Sequence, residues 1–427
     1  MRLPFPLRRR PALWLMIPAA PLLMIVGNLS RTSSPIAGYW TWTVSHSVLL
    51  IMVPAAVAAT GAALEAARLR THRQEAALNL RPAWMVILDA IWPSYVCAVI
   101  IQLCALAIVS VSAWGGSSRF PWEIFGAVSS ILLFHTSTGF LLGAALRPVV
   151  SIPLALAFSY TWLGFTGAID WFAPRHLAGL IIESCCFYDE QPNPTSLAAT
   201  AVFSILGASA LLCAASAVLR LWSPRPPLNI VTPTLLMALA AFSGLMLANG
   251  LPSTATEPRN PAELTCSTAE VTVCLYPEQL TDESPIATIQ SMVLRVRDAG
   301  VSLPNRVVAS RQAASAAALT VRYRPDMSNA QIAGSLASGL QGEQYLDCGK
   351  EPVDRVIKRQ GAADIARAWI ELRMSEEGEL ARESTFAELP ELRSLMTADE
   401  SQQVEWINRA LASMNSCADN PPAVPTQ

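Results

Sequence analysis

Few positions in this chain offer side chains for chemistry. Its histidines, His46, His72, His135 and His176, do not cluster in sequence. The sequence contains no GxxxxGK[ST] phosphate loop, no HExxH zinc motif and no GxSxG nucleophile elbow. We therefore expect no enzymatic activity, no bound cofactor and no ATP site of its own.

His135 is the one histidine near the middle of a long apolar run, in LLFHTSTGF. Ionisable residues at membrane depth often line a path for ions or substrates. The alternative is a neutral histidine that is hydrogen-bonded to a neighbouring helix, and we favour it. With so few ionisable groups in the apolar runs, the energy for any transport would come from elsewhere.

A second candidate is the segment AIDWFAPRHLAGLIIESCCFYDEQPNP, which lies between two apolar runs. Its part Trp171–Ile182 is amphipathic, so we expect it to lie in a membrane interface or to dip back toward the bilayer. His176, Glu183, Cys185 and Cys186 are ligand-type residues, but adjacent cysteines more often pair elsewhere or stay inert, so we predict no metal site. The charged groups of the segment are Asp170, Arg175, His176 and Glu183.

The remaining cysteines fall into two groups. Three lie in apolar runs and are small hydrophobic residues by type (Cys97, Cys104 and Cys213). Four lie in the C-terminal part, where the short spacing in CSTAEVTVC predicts a Cys266–Cys274 disulfide and leaves Cys348 to pair with Cys417. Sequence alone allows three pairings of four cysteines. A metal site is the weaker alternative, because this part has no CxxC motif and no histidine.

The elements that must position these residues are long apolar helices. The chain has 427 residues, of which 52% are hydrophobic and only 15% charged, well below the charged fraction of about 25% in soluble proteins. Seven runs are long enough to cross a bilayer as helices. They are Pro11–Ser30, Thr32–Leu64, Ala90–Ser118, Ile124–Leu146, Pro148–Ile169, Gln191–Leu219 and Asn229–Gly250. We predict a retained first helix rather than a cleaved signal peptide, since Asn28–Ser30 offers no small-x-small cleavage site.

The placement of arginine predicts the orientation of the bundle. With a cytoplasmic N-terminus, the cytoplasmic segments hold eleven arginines and the short outer loops hold Arg31, Arg119 and Arg175. The positive-inside rule favours this arrangement in the plasma membrane. Seven crossings then place the C-terminal part outside the cell, where disulfides are stable.

Residues 251–427 have a different composition from the rest and predict a separate α+β domain. Their net charge is −8, against +6 for residues 1–250. Neither part has the basic, aromatic-rich surface of a nucleic-acid binder. We expect a linker over 251–263, a domain over 264–418 and a disordered tail over 419–427. Within the domain we predict strands at Glu270–Tyr276 and Leu319–Arg324, and helices at Ser284–Gly300, Ser328–Gln341 and Val353–Met374. A capping box at Thr397–Glu400 predicts a last helix that runs through Trp406 toward Met414.

The longest charged cytoplasmic segment outside the N-terminus is Glu65–Arg81, EAARLRTHRQEAALNLR. Taken alone it is a solvated, helix-forming loop. In its context (an arginine-rich N-terminus, two spans, the charged segment, and later an amphipathic outer segment) the first half resembles the ABC-2-type permease subunits of actinobacterial ABC exporters. The resemblance implies that the segment docks on a separate ATPase subunit through Glu65, Arg68, Arg70 and Arg73. It also implies that the segment containing Asp170, Arg175, His176 and Glu183 forms an outer gate.

The C-terminal part is outside that resemblance. With VCLYPE at Val273–Glu278 and a late Trp406 and Cys417, it is similar to the C-terminal domain of uncharacterised actinobacterial membrane proteins. We therefore expect a permease-like subunit of an ABC exporter, with a homodimer as a possible assembly. The alternative is a membrane-anchored binding or sensing module without transport activity. An outer hydrolase would have to use the acidic groups near Glu278, which we interpret as a solvated turn.

Overall fold

The computed structural model describes residues 10–30, 36, 38–71, 82–110, 118–219, 228–280, 284–310, 318–340, 352–375, 390–414 and 422–423. The chain divides into two compact units, Met1–Glu257 and Pro258–Gln427. This division falls inside the predicted linker over 251–263. We call the two units the bundle and the C-terminal unit, and we describe each by itself.

The bundle is built from nine α-helices among its described residues. Seven of them contain segments long and apolar enough to cross a membrane. Each of the seven overlaps a predicted apolar run, but the bounds differ: the helix Met52–Thr71 begins well inside the run Thr32–Leu64 and continues past its end. The helices are α1 (Pro11–Ser30), α2 (Trp40–His46), α3 (Met52–Thr71), α4 (Ala83–Val109), α5 (Trp122–Ala145), α6 (Pro148–Phe165), α7 (Ala173–Ala178), α8 (Pro194–Val218) and α9 (Leu228–Ala248).

The backbones of α3 and α5 approach each other closely, and two glycines of α5, Gly139 and Gly143, make this possible. A side chain at Gly139 would collide with the backbone carbonyl of Ala59, and one at Gly143 with that of Ala63. Gly139 and Gly143 are four residues apart on α5, and Ala59 and Ala63 are four residues apart on α3, so the small residues lie on one face of each helix. Small residues at this spacing let two helix backbones approach closely within a membrane, where packing replaces the hydrophobic effect as the driving force.

The C-terminal unit packs five helices against a small sheet among its described residues. The strands are β3 (Thr265–Ser267), β4 (Thr272–Leu275), β5 (Arg306–Val308) and β6 (Leu319–Thr320), in that order across the sheet. Strands β3 and β4 are antiparallel, and β4–β5 and β5–β6 are parallel. The helices are α10 (Ser284–Asp298), α11 (Asn329–Gly339), α12 (Val353–Met374), α13 (Pro390–Met396) and α14 (Glu400–Met414).

The core of the C-terminal unit forms between this sheet and the helices. Val273 and Leu275 of β4 are fully buried, and so are Trp369 of α12 and Trp406 of α14. The indole nitrogen of Trp369 donates a hydrogen bond to Gln403 Oε1 at 2.8 Å. The unit therefore has its own apolar core, and the N–H of the buried Trp369 has the hydrogen-bond partner that burial requires.

Most predicted elements of the C-terminal unit are present, with two corrections. The run LTVRYR forms a strand only at Leu319–Thr320, since the partner strand β5 is itself three residues long. The capping box predicted from Thr397 is wrong, because the Thr397 hydroxyl donates to the Ser394 carbonyl at 2.8 Å, at the end of α13. A box of this kind does open α11, where Ser328 and Gln331 each accept the other's backbone N–H.

Part of the predicted disordered tail is held in place. The indole nitrogen of Trp406 donates to the backbone carbonyl of Ala423 at 2.9 Å. The rest of that tail lies outside the described residues. A separate two-stranded sheet pairs β1 (Glu190–Pro192) with β2 (Thr256–Pro258). The boundary between the two units falls within β2, between Glu257 and Pro258.

Candidate functional site

Two ends of the bundle carry the residues that the sequence singled out. Charged contacts group Arg10, Glu65, Arg68 and Arg70 at one end, which we call the arginine end. The opposite end holds the segment around His176, which we call the outer segment and define as residues 169–193. Hydrogen bonds from Tyr39 Oη to the Glu190 carbonyl and from the Trp40 N–H to Ser118 Oγ join the other loops to this second end.

A buried ion pair forms the centre of the arginine end. Arg10 Nη1 lies 3.0 Å from Glu65 Oε2, and the two side chains are 2% and 3% exposed. Arg68, nearly half exposed, lies 3.9 Å from the other oxygen of Glu65. A charge pair in this environment survives only because each ion compensates the other, since burying either one alone costs several kcal/mol. The pair therefore joins the start of α1 to α3.

This burial changes the interpretation of Glu65. The resemblance placed its carboxylate on the surface, facing an ATPase, whereas the structure places it inside the bundle against Arg10. The reason is that α3 continues through Thr71, so that Glu65 is still within the packed helix rather than in a loop. Of the other predicted coupling residues, Arg68 is exposed and Arg73 lies outside the described residues.

Arg70 makes a second link at the same end. Its Nη1 donates to the backbone carbonyl of Leu146 at 2.7 Å, just after α5 ends at Ala145. The last carbonyls of a helix have no partner within that helix, and a cation there also interacts favourably with the helix dipole. The C-terminal turn of α3 is thus bonded to the start of α1 and to the junction of α5 and α6.

The outer segment is organised around His176, which is fully buried in α7. Its Nδ1 lies 2.7 Å from Ser196 Oγ, and its Nε2 lies 3.0 Å from the carbonyl oxygen of Pro252. Because the Pro252 carbonyl can only accept, Nε2 carries the proton and the neutral ring accepts from Ser196 at Nδ1. The Thr200 hydroxyl also donates to the His176 backbone carbonyl, at 2.5 Å. Burial lowers the pKa of His176, against the opposing effect of its bond to Pro252.

Hydrogen bonds connect the outer segment to residues 252–257, the last residues of the bundle. The Asn193 N–H donates to the Ala255 carbonyl at 2.8 Å, and the Gln191 side chain donates to Glu257 at 2.7 Å. Together with the His176–Pro252 bond, they hold residues 252–257 along the outer segment. The sequence did not reveal Ser196, Pro252 or Ala255 as partners, because hydrogen bonds between segments that are far apart leave no local pattern.

The other predicted gate residues do not converge on His176. Arg175 is directed along its own segment, with Nε donating to the Ile169 carbonyl at 2.9 Å and its guanidinium 5.0 Å from the Phe172 ring centre. Asp170 is exposed. Glu183 is half-buried, and burial raises the pKa of its carboxyl group. The four residues share one segment without forming one cluster.

The two cysteines of this segment are neighbours in the chain. The sulfurs of Cys185 and Cys186 lie within disulfide distance of each other, whereas the sequence led us to expect that they pair elsewhere or stay inert. In the C-terminal unit the predicted Cys266–Cys274 disulfide is confirmed, with an S–S distance of 2.05 Å between residues directly opposite each other on β3 and β4. Cys348 and Cys417 lie outside the described residues.

His135 has the hydrogen bond that the sequence favoured. Its Nδ1 lies 3.0 Å from Ser159 Oγ on the neighbouring helix α6, and its side chain is fully buried. Among the described residues, no group of three or more His, Cys, Asp and Glu side chains is arranged to hold a metal ion. His135 therefore makes a contact between two helices, and His176 helps to hold residues 252–257 against the outer segment.

A helical bundle with seven helices apolar enough to span a membrane, followed by a disulfide-bonded α+β unit, defines the class of this protein. Residues 273–417 match the family described as "Domain of unknown function (DUF7224)". The match lies entirely within the C-terminal unit. No curated protein and no solved structure matches the chain.

Proposed function

We propose that this chain is a permease-like, non-enzymatic membrane subunit of an ABC-type exporter, which a separate cytoplasmic ATPase drives through the arginine end. One observation carries the proposal: the last turns of α3 are bonded to two other parts of the bundle. Arg10–Glu65 links α3 to α1, and Arg70–Leu146 links it to the α5–α6 junction. A force applied to the end of α3 therefore reaches three neighbouring helices at once.

The sidedness of this proposal is supported by the grouping of cations. Arg10, Arg68 and Arg70 share one end of the bundle, and the Arg70–Leu146 hydrogen bond brings Arg147, the residue after Leu146, to the same end. The positive-inside rule assigns such an end to the cytoplasm. In this orientation the outer segment and the C-terminal unit face the exterior of the plasma membrane, where the Cys266–Cys274 disulfide is stable.

The experiment is an affinity purification of the full chain from detergent-solubilised native membranes. We expect an ABC-type ATPase to co-purify with the wild type and to be lost from Arg68→Glu, which reverses an exposed charge at the arginine end. Arg119→Glu is the matched control, because it reverses an exposed charge at the opposite end. Absence of any ATPase, or equal recovery with both variants, contradicts the proposal.

A second candidate is a membrane-anchored binding or sensing module without transport activity. It is favoured by the C-terminal unit, which has its own core and disulfide and alone matches a domain family. In this case the bundle serves to display the unit, and the arginine end has no partner to bind. A purification without an ATPase, from cells in which the chain is stable and membrane-bound, supports this candidate over the first.

A further inference from the structure

The C-terminal unit concentrates its exposed apolar side chains at one place. Among its described residues, the large hydrophobic side chains classed as exposed are Val353, Val356, Ile357 and Met396. Three of the four lie within the first two turns of α12, at 71%, 37% and 62% exposure for Val353, Val356 and Ile357. Scattered single residues of this kind need no explanation, whereas a contiguous apolar patch marks an interaction site.

Val353, Val356 and Ile357 are spaced i, i+3 and i+4, so they share one side of the first two turns of α12. Val353 lies nine positions before the buried Ala362, and Ile357 lies nine positions before the buried Ala366. Nine residues at about 3.6 per turn are two and a half turns, so each exposed residue points about 180° away from its buried counterpart. Val356 lies two turns before the buried Ala363 and on the same side, so the patch is set by the exposed start of α12, residues 352–358, ahead of the part of the helix that packs in the core.

The charge around the patch differs from that of the rest of the unit. Residues 251–427 have a net charge of −8, but the exposed start of α12 carries the cations Arg355 and Lys358 against one acid, Asp354. Lysine and arginine stems extend along apolar surfaces while their charges stay in water. An apolar stripe with cations on the other side of the helix is the pattern of a helix that lies on an anionic bilayer.

We propose that the apolar face of α12 formed by Val353, Val356 and Ile357 is a docking surface for an anionic lipid bilayer. The inference rests on the membrane residence included in the proposed function, and it needs no ATPase. The apolar side chains enter the boundary between headgroups and acyl chains, and Arg355 and Lys358 contact the anionic headgroups. A bilayer is within reach, since Pro258, the first residue of the C-terminal unit, lies only ten positions after Ala248, the last residue of α9.

Lysine labelling tests the proposal directly, because Lys350 and Lys358 are the only lysines in the chain. The full chain is reconstituted in nanodiscs of phosphatidylcholine, with or without phosphatidylglycerol, and treated with a water-soluble acylating reagent. We expect acylation of Lys358 to be up to about 30-fold slower in the anionic discs, the factor that corresponds to roughly 1 kcal/mol for each of two cations. Amide hydrogen exchange over residues 353–361 should slow in the same discs.

The double variant Val353→Ser/Ile357→Ser keeps both lysines and removes the apolar face. We expect it to restore fast acylation in the anionic discs, which separates docking from a general effect of anionic lipid on the lysine amine. Met396→Ser is the matched control, because it removes an exposed apolar side chain elsewhere in the unit. Hydrogen exchange in α14 checks that all variants remain folded.

Two results would overturn the proposal. One is equal acylation of Lys358 with and without anionic lipid. The other is slowing that is the same in both lipids and rises with the number of chains per disc, which would assign the face to a second copy of this chain. Failure of the chain to enter discs at all would instead contradict the membrane residence on which the proposed function depends.

Discussion

The two units differ in the side chains that they expose. In the bundle, large apolar residues such as Trp14, Trp92 and Phe242 are exposed, while His135, Gln102 and many hydroxyl groups are buried. In the C-terminal unit, exposed large apolar residues are few and the core is built from valine, leucine and tryptophan. A bundle that exposes its apolar side chains is suited to an apolar solvent, whereas the C-terminal unit is suited to water.

The comparison extends to how each unit holds its helices together. Buried hydroxyls of the bundle donate mostly to their own helix, as Thr136 does to the Leu132 carbonyl at 2.7 Å. Little polar bonding is then left between helices, so close backbone contact and a few charged links must supply the stability. In the C-terminal unit the helices pack on a four-stranded sheet, and the Cys266–Cys274 disulfide joins its first two strands. The two units should therefore fail through different substitutions.

The largest effect is expected at the contact of α3 with α5. Gly139→Leu places a side chain where the Ala59 carbonyl lies, so the two helices must separate. We expect a loss of more than about 3 kcal/mol in the free energy of unfolding, at the upper end of overpacking effects. The measurement is the temperature of aggregation in detergent, with the yield of folded protein from membranes as a second readout.

The same helix provides a matched control. A side chain at Gly126 meets nothing within 4 Å, so Gly126→Leu should leave the aggregation temperature nearly unchanged. If Gly139→Leu behaves like Gly126→Leu, close backbone contact does not hold the bundle together. The contrast with the C-terminal unit would then lose its physical basis.

The next effect is expected at the buried ion pair. Glu65→Gln takes the carboxylate from the buried guanidinium of Arg10, and removal of one partner of such a pair costs about 3 kcal/mol or more. The exposed acid Glu123, in the first turn of α5, gives the control variant Glu123→Gln. Replacing both partners by methionine should recover much of the stability. A double variant as unstable as Glu65→Gln would argue that Glu65 acts through contacts other than the pair.

In the C-terminal unit, the disulfide is expected to have a smaller effect. The Cys266–Cys274 bond closes a loop of nine residues, for which the loss of chain entropy predicts about 2.5 kcal/mol. Cys266→Ser/Cys274→Ser should therefore speed amide exchange in β3, β4 and α10 of the full chain and leave exchange in the bundle unchanged. Faster exchange in α3 or α5 would contradict the independence of the two units.

How much of this could be predicted from sequence differs between the units. The seven apolar helices follow from charge-free runs, because a helix in lipid must be apolar along its length. The helix predicted at Val353–Met374 has the same bounds in the structure. The contacts of Gly139, Arg10 and His176 could not be predicted, because each joins residues tens of positions apart. Glu65 illustrates the limit, since its sequence neighbours indicate a loop and its tertiary partner buries it.

The smallest effect is expected at His176, and it is a test of pH dependence. Burial lowers the pKa of His176 in the folded state from the ordinary value of 6.5. The unfolded or detached segment then binds more protons than the folded one at acidic pH, so stability is lost as the pH falls below about 6.5, by no more than about 1.4 kcal/mol per pH unit. Lowering the pH from 7.5 to 5.5 should speed amide exchange over residues 249–257, which His176 holds through Pro252.

The variant His176→Gln retains a side chain that can donate a hydrogen bond and should remove this pH dependence. Equal pH dependence in the variant would show that another group controls the outer segment, with Glu183 as the first to examine.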